Sequence, residues 1–155
     1  MVALNAAGIL LYRRSGDSLE VLLVHPGGPF WAKKDEGAWS IPKGEVEQEE
    51  EEPRACALRE LEEELGASLD IAVEDLAELG TVRQKSGKTV HCWAAESDFD
   101  PATLSSNTFS MEWPPRSGVE REFPEVDRAG WFGPDEARRK VNPAQAAFLD
   151  RLQME

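Results

Sequence analysis

GEVEQEEEEPRACALRELEEELGA occupies residues 44–67 and carries ten glutamates but only two arginines. Four of the carboxylates, Glu60, Glu62, Glu63 and Glu64, fall within five consecutive positions. Like charges three or four apart on a helix repel by about a few tenths of a kcal/mol per pair. A chain that keeps them there needs compensation, and a divalent cation is the most economical source of it.

The local sequence specifies a helix. Pro53 suits the first helical position, where its missing N–H is not needed, and it pushes Glu52 out of the α region. Gly66 supplies the C-terminal stop. Ala, Leu, Arg and Glu between them are good helix formers. At about 100° per residue, Leu58, Leu61 and Leu65 fall on one face, expected to be the core face. Glu60, Glu63 and Glu64 fall on another, at i, i+3 and i+4. Glu62 points elsewhere and is expected to be solvated. Three carboxylates gathered in this way make a hard-oxygen site suited to Mg²⁺ or Mn²⁺. The plainer reading is a solvated acidic face.

The order of these residues resembles a Nudix box. Arg59, Glu60, Leu61, Glu62, Glu63, Glu64, Leu65, Gly66 and Ala67 match the second half of that motif throughout, and Gly44 and Glu51 match the first. Gly44 and Glu51 enclose six residues, one more than the family pattern has, so the loop before Pro53 is longer while the helix register is kept. A motif this long is far more specific than an isolated glycine-rich match. The resemblance implies an α/β (α+β) chain with the Nudix-type mixed β-sheet sandwiched between helices.

Composition agrees with such a chain. The 155 residues suit one domain, 1–155, with 41% hydrophobic and 30% charged residues. The formal net charge of −13 argues against stable binding to nucleic acid or to anionic membranes. It also means that metal ions and local cations must reverse the field wherever an anionic phosphate binds. Cys56 and Cys92 read as two buried thiols of a reducing compartment, and a cytoplasmic location is expected. The N-terminus does not read as a secretory leader, since Arg13 and Arg14 follow its apolar run.

Outside the acidic stretch, residues 6–12 and 19–24 read as adjacent strands about the turn formers 15–18. Neither alternates cleanly, so both sheet faces are expected to be covered. Residues 25–44 are rich in Gly and Pro and read as loop, with a short strand at 38–41. Residues 69–75 are ambiguous. Residues 79–83 and 89–95 read as a hairpin around 84–87, and 108–113 as a further strand. Residues 97–107 and 116–128 read as loops, and Trp131 and Phe132 as a short apolar element. Gly133-Pro134 and Asn142-Pro143 read as helix starts, Ala146, Ala147, Leu149 and Leu152 packing the second onto the core. His91, with no second ligand nearby, reads as structural.

The Nudix resemblance implies metal-dependent hydrolysis of a diphosphate linkage in a nucleoside diphosphate derivative. A nucleoside triphosphate or a dinucleoside polyphosphate is the expected substrate, and a monomer or homodimer the expected assembly. Glu60, Glu63 and Glu64 are the implied ligands of Mg²⁺ or Mn²⁺, with the Gly44 carbonyl and Glu125, for which Glu122 is the fallback. Glu60 is the favoured general base, and Arg59 is expected to orient Glu51 or Glu50 as a structural brace. Lys33, Lys34 and Lys43 are candidate phosphate contacts, Lys33 and Lys34 reading equally well as charge balance. Trp39 and Trp31 are candidate base-stacking groups, core packing being the simpler role for each. The competing reading is a non-catalytic Nudix-like nucleotide or metal sensor, which a full set of box carboxylates disfavours.

Overall fold

The computed structural model describes residues 5–46 and 52–152. Strand β1 (Asn5–Ser15) is the centre of the sheet and uses its two edges differently. Along one edge it pairs in parallel with β5 (Thr89–Glu96), from Asn5 opposite Thr89 to Tyr12 opposite Glu96. The other edge is shared. Residues 6–8 pair antiparallel with β3 (Lys43–Glu45), and residues 12–15 with β2 (Ser18–Pro26). Strand β4 (Ala77–Arg83) closes one side against β5, and β8 (Val126–Phe132) the other against β2. Among the described residues a second sheet has two strands, β6 (Thr108–Glu112) and β7 (Glu120–Pro124).

Both faces of the main sheet are covered, as the unbroken apolar runs of β1 and β2 require. On one face Ala7, Ile9, Leu11, Leu22 and Val24 pack against helix α1 (Pro53–Leu65). On the other, Ala6, Leu10, Val21 and Leu23 pack against α2 (Pro134–Lys140) and α3 (Ala146–Arg151) through Ala137, Phe148 and Leu149. The result is an α+β fold, a mixed sheet between helices, as the sequence implies.

Helix α1 starts and stops where the sequence places it. Pro53 opens it, and the Glu52 carboxylate caps it by accepting from the Arg54 and Ala55 N–H groups at 3.2 and 3.1 Å. Gly66 ends it with φ 68°, and a Cβ there would lie 2.0 Å from the Ser105 carbonyl oxygen. The core stripe is shifted from the expected one. Ala57, Leu61 and Leu65 are fully buried with Cys56, while Leu58 is only partly buried. Glu62 is not simply solvated, because its carboxylate accepts from the Leu69 N–H at 2.8 Å and so secures the chain after the helix. Each fully buried leucine of this stripe contributes about 1.5–3 kcal/mol.

Three elements differ from the sequence reading. The strand expected at 38–41 is reduced to isolated bridges, Trp39 with Val141 and Ser40 with Val24. The regular pairing comes after Pro42, which has no N–H to give a ladder. Residues 120–124, read as part of an irregular loop, form β7, stabilised by cross-strand pairing with β6 and by Phe123 beside Phe109. Strand β8 begins at Val126, earlier than the apolar pair at 131–132, because β2 offers it a full edge. Asn142 caps a 3₁₀ turn, Pro143–Gln145, from which the last helix α3 continues at Ala146. His91 has structural partners, Glu78 at 2.6 Å and the stacked ring of Trp93.

Gly66→Ala should lower stability by at least about 1 kcal/mol, since a left-handed φ and a backbone clash add. Thermal denaturation checks this, with Ala67→Gly as the control expected to cost less.

Candidate active site

The site is built where α1 leans on β3. Strand β3 is short and lies beside the start of β1, which brings its backbone to the acidic face of the helix. A Cβ on Gly44 would stand 2.0 Å from Glu60 Oε2 and 2.1 Å from Glu60 Cδ, so only glycine leaves room for that carboxylate. One residue earlier, the Lys43 N–H donates to Glu64 Oε2 at 2.8 Å. The two carboxylates are thus held against consecutive residues of one strand.

Glu64 shares a cavity of about 150 Å³ with Glu125, Ser40, Ile41 and Lys43. Glu125 arrives from the turn between β7 and β8. Its backbone is clamped on both sides, its N–H donating to the Asn107 carbonyl at 2.8 Å and its carbonyl accepting from the Gly27 N–H at 2.9 Å. Burial pushes the Glu64 carboxyl up to about 8, and Glu60 and Glu125 push the same way, against the Lys43 N–H and ammonium. Glu122, the fallback for Glu125, lies in β7 opposite Ser110, with Thr108 Oγ1 3.4 Å from its carboxylate. It does not line the cavity that holds Glu64.

Arg59 Nη1 reaches Glu60 Oε1 at 3.3 Å and Glu63 Oε1 at 3.4 Å. Glu63 is half exposed on the outer side of this pair, whereas the Glu60 side chain is only 15% exposed. The expected braces Glu51 and Glu50 lie outside the described residues.

A second, larger cleft of about 310 Å³ adjoins the first, and Lys43, Ser40 and Pro26 line both. Lys43 is largely enclosed. Burial lowers its ammonium pKa, Lys88 adds to the effect, and Glu64 and Glu45 oppose it. Trp31 lines the larger cleft, 40% exposed, with Lys34 Nζ 5.0 Å from its ring centroid. Lys33 is exposed and lines neither cleft. Trp39, by contrast, is a core residue. It is 5% exposed and packs edge-on to His25 and Phe132, its N–H donating to Asp35 at 2.8 Å. Trp31 and Trp39 both line the larger cleft, Trp31 with a half-exposed indole and Trp39 with most of its ring in the core. The Lys140 ammonium and the Trp39 N–H hold the Asp35 carboxyl below its ordinary range.

His25 escaped the sequence reading. It is fully buried, with Nδ1 2.8 Å from Asp127 Oδ1 and Nε2 2.7 Å from the Lys34 carbonyl oxygen. It therefore ties the loop carrying Trp31 to the strand that follows Glu125. A lone histidine at the end of an apolar run carries no signal of this.

The donor chemistry fits a divalent cation. Carboxylate oxygens from α1 and from the β7–β8 turn converge on one cavity, and burial there disfavours an uncompensated Glu64 anion. Among the described residues no three acidic, His or Cys side chains already stand within reach of a common ion. Glu60 and Glu63 instead share Arg59.

A mixed sheet lies between helices, and Glu60 and Glu64 of one helix are turned onto the strand that carries Gly44. The chain matches the family model of the NUDIX domain over residues 3–152, and it belongs to the Nudix hydrolase family. Its reaction class is accordingly that of a Nudix pyrophosphohydrolase. An Ap4A hydrolase from C. elegans, in a binary complex, superposes with a TM-score of 0.63 at 21% identity, over 96% of this chain and 95% of that one. The NUDIX domain of NrtR from Shewanella oneidensis, complexed with ADP ribose, gives 0.63 at 16% identity, over 99% and 88%. A mutT/nudix family protein from Listeria innocua gives 0.61 at 18% identity, over 99% and 93%. At these identities the structural likeness speaks for the fold alone. Among the described residues no helix is long and apolar enough to cross a membrane.

Because the Glu64 carboxyl is raised in the folded state, it keeps its proton up to about pH 8, while in the unfolded chain it ionises near 4.5. Its contribution to stability is fully present below pH 4.5 and is lost as pH rises through about 8. Thermal unfolding in a chelating buffer should show Glu64→Gln more stable than the parent chain at pH 9, with the difference shrinking toward pH 5.

Proposed function

We propose that the chain is a single-domain, divalent-metal-dependent hydrolase of a diphosphate linkage in a nucleoside triphosphate or dinucleoside polyphosphate. The observation that carries this reading is the shared cavity of Glu64 and Glu125 beside a Glu60 seated on Gly44. The residues that would hold the cation are Glu60, Glu63, Glu64 and Glu125, with the Gly44 carbonyl, and Mg²⁺ or Mn²⁺ suits oxygen donors of this kind. A bound cation supplies neutralisation of phosphate charge and a lowered pKa for water.

The chain's own groups do the rest. Lys43, at the junction of the two clefts, faces the diphosphate, and Lys34 beside Trp31 meets the far end of the substrate. Glu60 takes the proton from the attacking water as oxygen adds to phosphorus and the bridging P–O bond breaks. Arg59 holds Glu60 and Glu63 in register, so it positions them and does not touch substrate. The name of the C. elegans relative, an Ap4A hydrolase, supports a dinucleoside polyphosphate as one substrate to try. A binding-only reading is favoured by one finding, the likeness to the NrtR domain complexed with ADP ribose.

A phosphate-release screen with Mg²⁺ and with Mn²⁺ separates the two. It should include nucleoside triphosphates, dinucleoside polyphosphates, nucleotide sugars and inositol pyrophosphates. Turnover should vanish with chelator, and Glu64→Gln or Glu63→Gln should lower kcat about 10²-fold or more. Either variant at full turnover removes that residue from the site, and no turnover on any class moves the chain to the binding reading. Gly44→Ala should lower kcat by about 10-fold or more while the fold survives, because only the Glu60 carboxylate is displaced.

A further inference from the structure

The chain from Ser40 to Lys43 changes partners as it crosses the sheet. At Ser40 it is bridged to Val24 of β2, the Ser40 N–H donating to the Val24 carbonyl at 2.9 Å and the Val24 N–H donating back at 2.8 Å. At Lys43 it pairs with Gly8 of β1 as β3 begins. Ile41 and Pro42 span the crossing. Pro42 has no N–H, and its carbonyl accepts from the Ile9 N–H at 3.1 Å. Ile41 is 1% exposed, and a buried N–H left without an acceptor at such a crossing is costly.

A side chain meets that need. The Ile41 N–H donates at 2.9 Å to Oε1 of Gln145, itself only 1% exposed. A backbone N–H can only donate, so the amide oxygen is the end that faces Ile41. Gln145 Nε2 donates to Ser40 Oγ at 3.1 Å and, in the turn between β4 and β5, to Gln84 Oε1 at 2.8 Å. The Ile41 bond is the last rung of a ladder. The Gly37 N–H donates to the Arg139 carbonyl at 3.0 Å, the Trp39 N–H to the Lys140 carbonyl at 2.9 Å, and the Asn142 N–H to the Trp39 carbonyl at 2.7 Å. At Pro143 the chain turns toward α3, and the next rung is made by a side chain.

Just past Ile41 lie the two residues that receive helix α1. Lys43 gives its N–H to Glu64, and Gly44 leaves room for Glu60. We propose that Gln145 is a positioning residue for these two carboxylates. It pins Ile41 and so sets where Lys43 and Gly44 meet them. Gln145 lines the larger cleft and not the cavity that holds Glu64, so it acts through the backbone. The inference rests on the cation site proposed above and adds a residue that would touch neither cation nor substrate.

The first readout is amide hydrogen exchange of the metal-free chain, and the second is Mn²⁺ binding by calorimetry. Gln145→Met keeps most of the volume and removes the amide. In it the Ile41 and Lys43 amides should exchange about tenfold faster relative to amides of the β1–β5 pairing, the value of roughly one hydrogen bond. Mn²⁺ should bind about tenfold more weakly. Gln145→Glu keeps an oxygen for Ile41, and Gln84→Ala removes only the other arm, so both should stay near the parent in both readouts. Should Gln145→Met fail to fold, Gln145→Leu carries the same test. A purely structural role predicts that all amides speed up together, which leaves the ratio unmoved and overturns the proposal. So does an unmoved Mn²⁺ affinity in a folded variant, or an Ile41 amide that exchanges in the parent as fast as an exposed loop. A parent chain that binds no Mn²⁺ sinks the cation reading alone, and Lys43 exchange then decides whether Gln145 sets the carboxylate seat.

Discussion

The close approach of helix α1 to strand β3 is the constraint on which the rest of the structure depends. Gly44 lacks the one carbon that would collide with the Glu60 carboxylate, and Lys43 gives its N–H to Glu64. For β3 to reach that position, β1 must leave half of one edge open, which it does by pairing with β2 only at its far end. The opening between β2 and β3 is where the Glu64 cavity lies, lined by Val24 of one strand and Lys43 of the other. One steric requirement at one glycine thus shapes the sheet and the site together.

The electrostatics run against the bulk composition. A chain of net charge −13 nevertheless lines its larger cleft with Lys43 and Lys85, beside the neutral amides of Gln84 and Asn142. Of its acidic groups at the site, Glu64 is held by a backbone hydrogen bond and by burial, and Glu60 and Glu63 by Arg59. Around this, His25 and the Trp39–Asp35–Lys140 contacts fix the loop that carries Trp31 and Lys34. Burial of a polar group is costly unless it is paired, and every one of these is paired.

Helix α1 was legible because its signals are local: Pro53 and Gly66 bracket it, and its leucines have a helical period. Its core stripe was legible only approximately, since Leu58 or Ala57 faces the sheet according to where β1 and β5 lie. The β1–β2 and β4–β5 hairpins were readable for the same local reason. Strands β3 and β7 were not. Lys43, Gly44 and Glu45 have no strand propensity of their own and pair because β1 offers them an edge. The separation of Glu125 from Glu122 was equally invisible, because it depends on the Asn107 and Gly27 clamps.

The sequence by itself determined the helix, its ends, the apolar runs of the sheet and the spacing of the box carboxylates. These are consequences of backbone stereochemistry and periodicity, which act over a few residues. Tertiary structure alone decided which glutamates share a cavity, that Trp39 is buried at the edge of the larger cleft while Trp31 stays half-exposed there, and that Gln145 reaches Gln84. Those facts depend on contacts between residues 60 to more than 100 positions apart, such as Gln145 with Gln84 and with Ile41. No local pattern can encode the direction of a hydrogen bond whose donor lies on the far side of the chain.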